Sequence, residues 1–157
     1  YKGMFTVLRM GNVFGFKKNI NPRMIAENLV HNLCSEAIIK KKILIDKGFI
    51  QRTFVPSEIF VKIINLIISK KIFENSIANI SYKILSLKDI AKIIQKRLNL
   101  RLNIHTNIVV KNISNKKKYL ISLNKNLSFK VSNKTIYNEI DQILEFLNKN
   151  LRKKNSF

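Results

Sequence analysis

Short apolar runs alternate along this chain with longer stretches whose apolar residues recur every three to four positions, the pattern of strands interleaved with helices. Phe5, Val7 and Leu8 open a buried strand that ends in a Gly-flanked turn, so the Asn12 amide is expected at the C-terminal edge of a strand. Ligands of α/β sheets bind at such edges. Residues 16–21 read as loop, and Asn21-Pro22 supplies an N-cap and a first-turn proline. Ile25, Leu29, Leu33 and Ala37, four apart, with Met24 and Ile38 alongside, then predict an amphipathic helix over 22–39. Ile43-Leu44-Ile45 and residues 52–55 read as short strands. Pro56-Ser57-Glu58 opens a second helix, in which Ile59, Ile63 and Ile67 with Phe60, Ile64 and Ile68 form a stripe too wide for a solvent-facing helix. It is expected to be largely buried.

Residues 76–81 read as a strand, and Ser86-Leu87-Lys88-Asp89 is an acidic variant of a capping box that begins a helix through Ile90, Ile93, Ile94 and Leu98. Leu100, Leu102 and Ile104 alternate, and with Ile108-Val109-Val110 they predict an extended segment. A turn-rich linker over 112–118 and a short apolar piece over 119–123 follow. The last helix, over 135–151, has Ile136, Ile140, Ile143, Leu144 and Leu147 as its inner face. There is no internal repeat.

A chain of 157 residues can form one domain with a substantial core. Its 30 basic residues against nine acids give a net charge of +21 and a pI near 10.3, which points towards nucleic acid. Two features oppose that reading. Lysine far outnumbers arginine amid abundant Asn and Ile, as an AT-rich coding sequence yields without any polyanionic partner. The lysines also fall in short clusters, at 17–18, 40–42, 70–71, 116–118 and 153–154, where helix ends and turns are expected and a cation favours the helix dipole. No aromatic RNA-binding motif or zinc finger accompanies them. The longest apolar run, 59–68, contains Lys62 and Asn65 and falls short of the roughly 20 residues of a membrane span, so no span is expected. A lone Cys34 excludes an internal disulfide and a multi-cysteine zinc site, and cytoplasm is the expected compartment. The opening Tyr1-Lys2-Gly3-Met4-Phe5 has neither the form of a signal peptide nor that of a natural start.

Two segments carry candidate chemistry. Leu8-Arg9-Met10-Gly11-Asn12-Val13-Phe14-Gly15 and the later Gly48-Phe49-Ile50-Gln51-Arg52-Thr53-Phe54-Val55 resemble the LR-x-x-N-V-[YF]-G and G-x-x-x-R-[DT]-F-[VI] signatures of the NAD-dependent epimerase/dehydratase family, the extended short-chain dehydrogenase/reductases that act on nucleotide sugars. Asn79-Ile80 and the helix after Ser86 extend the resemblance over about the first hundred residues, and the remainder matches in general pattern only.

The resemblance implies an α/β fold comprising the C-terminal portion of a Rossmann-type parallel sheet and a small mixed α/β substrate-binding subdomain. It implies that Asn12, Asn32, Leu33 and Arg52 contact a nucleoside-diphosphate sugar, and that Gly11 and Val13 lie at the NAD or NADP nicotinamide. An amide such as Asn12 donates and accepts without bringing in a charge that must be desolvated. A guanidinium such as Arg52 grips a diphosphate by paired charge-assisted bonds that lysine cannot form. His31, beside Asn32, departs from the family's usual asparagine, and Thr53 replaces the usual acid after the arginine. His105 reads as structural or exposed, and neither histidine supports a metal site.

None of the four glycines forms a G-x-x-G-x-x-G dinucleotide turn, and no Tyr-x-x-x-Lys acid/base pair is present, since Tyr1-Lys2, Tyr82-Lys83, Tyr119 and Tyr137 lack that spacing. The expectation is therefore residues 1–157 of a C-terminal part, without catalytic residues and inactive alone, of an enzyme that is a homodimer when complete. A basic nucleic-acid-binding module and a non-catalytic interaction domain are the alternatives.

Overall fold

The computed structural model describes residues 5–16, 28–70, 76–112 and 132–154. Strand β1 (Thr6–Met10) pairs in parallel with β5 (Ser76–Ile80), Leu8 opposite Ala78. Gly11 ends that ladder, its N–H donating to Ile80 O at 3.2 Å. The chain then enters a different sheet. Strand β2 (Asn12–Phe14) runs parallel to β4 (Gln51–Pro56), with Asn12 opposite Phe54, and β6 (Lys83–Ser86) closes the other edge of β4 in antiparallel register. A third ladder joins β3 (Lys42–Lys47) to β7 (Asn107–Asn112) in parallel. Parallel pairing with helical crossovers makes this an α/β fold, as expected.

Four helices fill the intervals: α1 (Leu29–Lys40), α2 (Ser57–Ser69), α3 (Leu87–Leu102) and α4 (Asn133–Lys154). Helix α3 begins with the expected capping box, in which Ser86 Oγ accepts from Asp89 N–H and the Asp89 carboxylate accepts from Ser86 N–H. The inner face of α4 matches the expected residues, with Ile136, Ile140, Ile143, Leu144 and Leu147 all buried. Helices α1, α3 and α4 pack on one another, and Arg97 of α3 makes a bidentate pair with the Asp141 carboxylate of α4.

Three expectations differ from the structure, and β6 was not among the expected elements; the first is the burial of β1, since Val7 and Met10 are 44% and 49% exposed. Helix α3 continues through Leu102 to a left-handed cap at Asn103, so Leu100 and Leu102 belong to its last turns and not to a strand. In those turns Leu98 and Leu102 face inward while Leu100 is exposed, and sequence alone shows this as alternation. Helix α2 is buried on one side only: Ile59, Ile63 and Ile67 are covered, whereas Val61 and Ile68 are 53% and 60% exposed. Strand β6 carries too few residues to stand out in the sequence and is held by β4. The expected N-cap at Asn21-Pro22, the linker over 113–118 and the apolar piece over 119–123 lie outside the described residues.

Candidate functional site

Asn12 sits where two sheets meet, just past the C-terminal edge of β1–β5 and at the start of β2. Gly11 makes that junction possible, because a Cβ there would fall 2.0 Å from Thr53 Oγ1 and 2.7 Å from Thr53 O. The backbone crosses β4 at a distance only glycine permits. Asn12 Nδ2 then donates to Thr53 O at 3.1 Å, and among the described residues none donates to its carbonyl oxygen.

Register places Arg52 near Asn12. Asn12 is opposite Phe54, and Arg52 lies two residues before Phe54 on the same strand, so all three share a face of the sheet. Phe14, two residues after Asn12 on the same face, packs edge-to-face against Phe54, ring centroids 6.3 Å apart. The Arg52 side chain is exposed, and no described residue bonds its guanidinium. Every described carboxylate, by contrast, is engaged. Glu36 binds Lys40 and Leu44 N–H, Asp46 lies near Lys111, Glu58 binds Lys62, and Asp89 caps α3. Asp141 holds Arg97 and Arg101, and Glu145 holds Arg101. A cation left open on an otherwise packed sheet face is available to an anionic ligand.

The structure treats the remaining sequence candidates differently. Val13 is half-buried in β2 opposite Val55. Asn32 is exposed on α1 and Leu33 is part of the core, and neither makes a described side-chain bond to β2. The α1 residues that do reach β2 are Asn28 and His31. Asn28 caps α1, its Oδ1 accepting from Val30 N–H, while its Nδ2 donates to Val13 O at 2.6 Å. His31 Nε2 lies 3.0 Å from Gly15 O. Those two carbonyls lie at the edge of β2 that has no neighbouring strand among the described residues, and α1 with its N-cap supplies their partners. Asn28-Leu29 has the same Asn-Leu form as Asn32-Leu33, which was the available signal for it.

His31 is buried, which pulls its pKa below the ordinary 6.5, against the raising influence of the Gly15 carbonyl and of Glu139. Nε2–H donates to Gly15 O, and Nδ1 is buried without a described partner. Glu139 of α4, also buried, completes the cluster. Its Oε1 accepts from Ser57 Oγ (2.8 Å) and Glu58 N–H (3.1 Å), and its Oε2 from Phe16 N–H (3.1 Å). Nothing in the sequence links a helix residue near the end of the chain to a turn more than a hundred positions earlier. Tyr82 plays a comparable tethering part, its hydroxyl meeting Ser132 N–H and Ser132 O at the start of α4.

Among the described residues no three His, Cys, Asp or Glu side chains gather as metal ligands, and no helix is long and apolar enough to cross a membrane.

No known family profile matches the chain, and no curated protein matches it by sequence. Solved structures do. A UDP-N-acetylglucosamine 4-epimerase from Methanobrevibacter ruminantium M1, in complex with UDP-N-acetylmuramic acid, superposes with a TM-score of 0.58 at 20% identity over 92% of this chain and 46% of its own. A dTDP-glucose 4,6-dehydratase from Bacillus anthracis in complex with NAD gives 0.62 at 16% identity, covering 92% and 44%. RMD from Pseudomonas aeruginosa, complexed with NADPH, gives 0.67 at 9% identity, covering 94% and 48%. The chain has the α/β fold of somewhat less than half of these enzymes' length.

Proposed function

We propose that this chain is the C-terminal, substrate-binding half of an NAD(P)-dependent nucleotide-sugar epimerase, dehydratase or reductase, and that Asn12 and Arg52 hold the nucleoside-diphosphate sugar. The observation that carries this is the placement of both residues on one face of adjacent parallel strands, at the C-terminal edge of β1–β5, with the Arg52 guanidinium left open. Structures sharing the fold at twice the length act on or bind nucleotide sugars, as their names state. On this reading Arg52 clamps the diphosphate and the Asn12 carbonyl accepts from a sugar or ribose hydroxyl. Asn32 and Leu33 were expected beside them; Asn32 is exposed, Leu33 is in the core, and Asn28, the N-cap of α1, bonds Val13 O next to Asn12.

NAD or NADP would supply hydride transfer in the complete enzyme. The residues present do not make a dinucleotide site of their own: no Gly-rich turn exists, and Gly11 is explained by its contact with Thr53. Gly11 and Val13 therefore border the nicotinamide at most through their backbone, and no acid/base step falls to this chain. A half so placed leaves open an apolar surface on β1–β5, which the dinucleotide-binding half would cover. We also propose that the complete enzyme is a homodimer and acts in the cytoplasm.

The test is an NMR titration of the chain with UDP-glucose at fixed ionic strength. Arg52→Lys is expected to weaken binding about ten- to a hundredfold, because a point charge replaces a bidentate fork. Neutralising Lys92 and Lys96, exposed on α3, should change it less than about twofold. Equal losses would mean that bulk basicity governs the ligand and would favour the nucleic-acid alternative.

A further inference from the structure

We infer that Glu139 is a positioning residue for the Asn12 site: the C-terminal helix, through one buried carboxylate, sets where the Asn12-bearing strand lies against β4. This inference rests on the nucleotide-sugar reading for its ligand, although the contact itself does not.

Strand β2 has three residues, too few to fix its own register. Its start is set by Gly11 and Asn12 on Thr53. Its end is set by Glu139, whose two oxygens bridge Phe16 N–H, just beyond β2, to Ser57 Oγ and Glu58 N–H, just beyond β4. The carboxylate therefore joins the ends of the two strands that carry Asn12 and Arg52. Gly15 is fitted to this arrangement, since a Cβ there would lie 2.0 Å from Ser57 Oγ and 2.8 Å from Glu139 Oε2. Helix α2 has no side-chain cap of its own, because Pro56 stands at the N-cap position, and the Glu139 charge fills that role from across the molecule. All three partners donate. A glutamine at 139 could satisfy the α2 side with its carbonyl but would present its NH2 to Phe16 N–H, two donors face to face, so Glu139→Gln selectively releases the turn after β2.

Asp141→Asn is the matched control. It lies on the same helix, is equally buried at 7% exposure, and its pairs are with Arg97 and Arg101 on α3, away from the turn. Two readouts are taken on the 157-residue chain well below the melting transition: hydrogen exchange of the Phe16 amide, without ligand, and UDP-glucose affinity by NMR titration. Glu139→Gln is expected to speed Phe16 exchange about tenfold beyond the rise at Val55 and to weaken UDP-glucose binding about tenfold. Asp141→Asn should leave both unchanged once global stability is allowed for. Ser57→Ala, which removes one of the three donors, should move both in the same direction by less, and it serves if Glu139→Gln does not fold. Unchanged Phe16 exchange overturns the inference, as does an equal loss of affinity in both α4 variants or none in Glu139→Gln. If the unsubstituted chain ignores UDP-glucose while Phe16 exchange responds as expected, the ligand reading fails and the positioning of β2 by Glu139 stands.

Discussion

At the scale of single residues, the junction between the two sheets depends on the absence of one methyl group. Gly11 has an ordinary negative φ, so its requirement is steric rather than conformational. Replacing it by alanine would push a Cβ into the Thr53 side chain and backbone carbonyl, and the carbonyl cannot swing away. Gly11→Ala should cost about 1–3 kcal/mol in urea denaturation, the usual price of overpacking. Gly48→Ala, whose nearest neighbour would be a Val110 methyl at 3.2 Å, should cost far less.

His31 makes a second, pH-dependent prediction. Its folded pKa lies below the unfolded value near 6.5, so the unfolded state binds the proton first as pH falls. The stability associated with the neutral ring is present in full above about pH 6.5 and is lost on acidification through the lowered folded pKa. The melting temperature should therefore fall below pH 6.5, and His31→Gln should flatten that limb of the profile while leaving the Gly15 carbonyl a donor. An unaltered slope in the variant would mean that other groups carry the acid sensitivity. Asn12 and Arg52 could be singled out in the sequence because each stands in a run of recognisable neighbours, and the register puts them on one face of β2–β4. His31, Asn28 and Glu139 were not, since what selects them is the unpaired edge of β2 and the uncapped start of α2, neither of which exists before the chain is folded.

At the scale of elements, local signals held wherever the cause was local. The Ser86–Asp89 capping box is a four-residue device, and its hydrogen bonds form as the sequence indicated. Ser86→Ala should cost about 1 kcal/mol, measured by thermal or urea unfolding, because one N-terminal donor of α3 loses its acceptor. The long inner face of α4 was equally plain, as apolar residues at helical spacing from Ile136 to Leu147, about three turns, admit no strand. Where packing decides, the pattern failed. Leu100 and Leu102 alternate as a strand would, yet the capped helix runs through them to Asn103. Strand β6 exists because β4 offers an edge. The apolar breadth of α2 led to an expectation of burial all round, whereas the described elements cover one side alone.

At the scale of the whole molecule, the uncovered side of α2 belongs with a second uncovered surface. Val7 on β1 and Ile77, opposite it on β5, are 44% and 53% exposed. A parallel two-stranded ladder with an open apolar face is unusual, because parallel sheets are ordinarily covered on both sides. Such a face promotes association, while a net charge of +21 opposes it. The two have different ranges. Apolar contact is unaffected by screening, whereas charge repulsion decays over about 8 Å at physiological salt and about 3 Å at 1 M. Sedimentation of the chain should therefore show a monomer at low ionic strength and growing self-association as salt is raised, and Val7→Lys or Ile77→Lys should abolish the growth without lowering the melting temperature by more than a few degrees. Association that falls as salt rises would trace the contact to charge, and would remove the β1–β5 face as the surface on which the dinucleotide-binding half is proposed to dock.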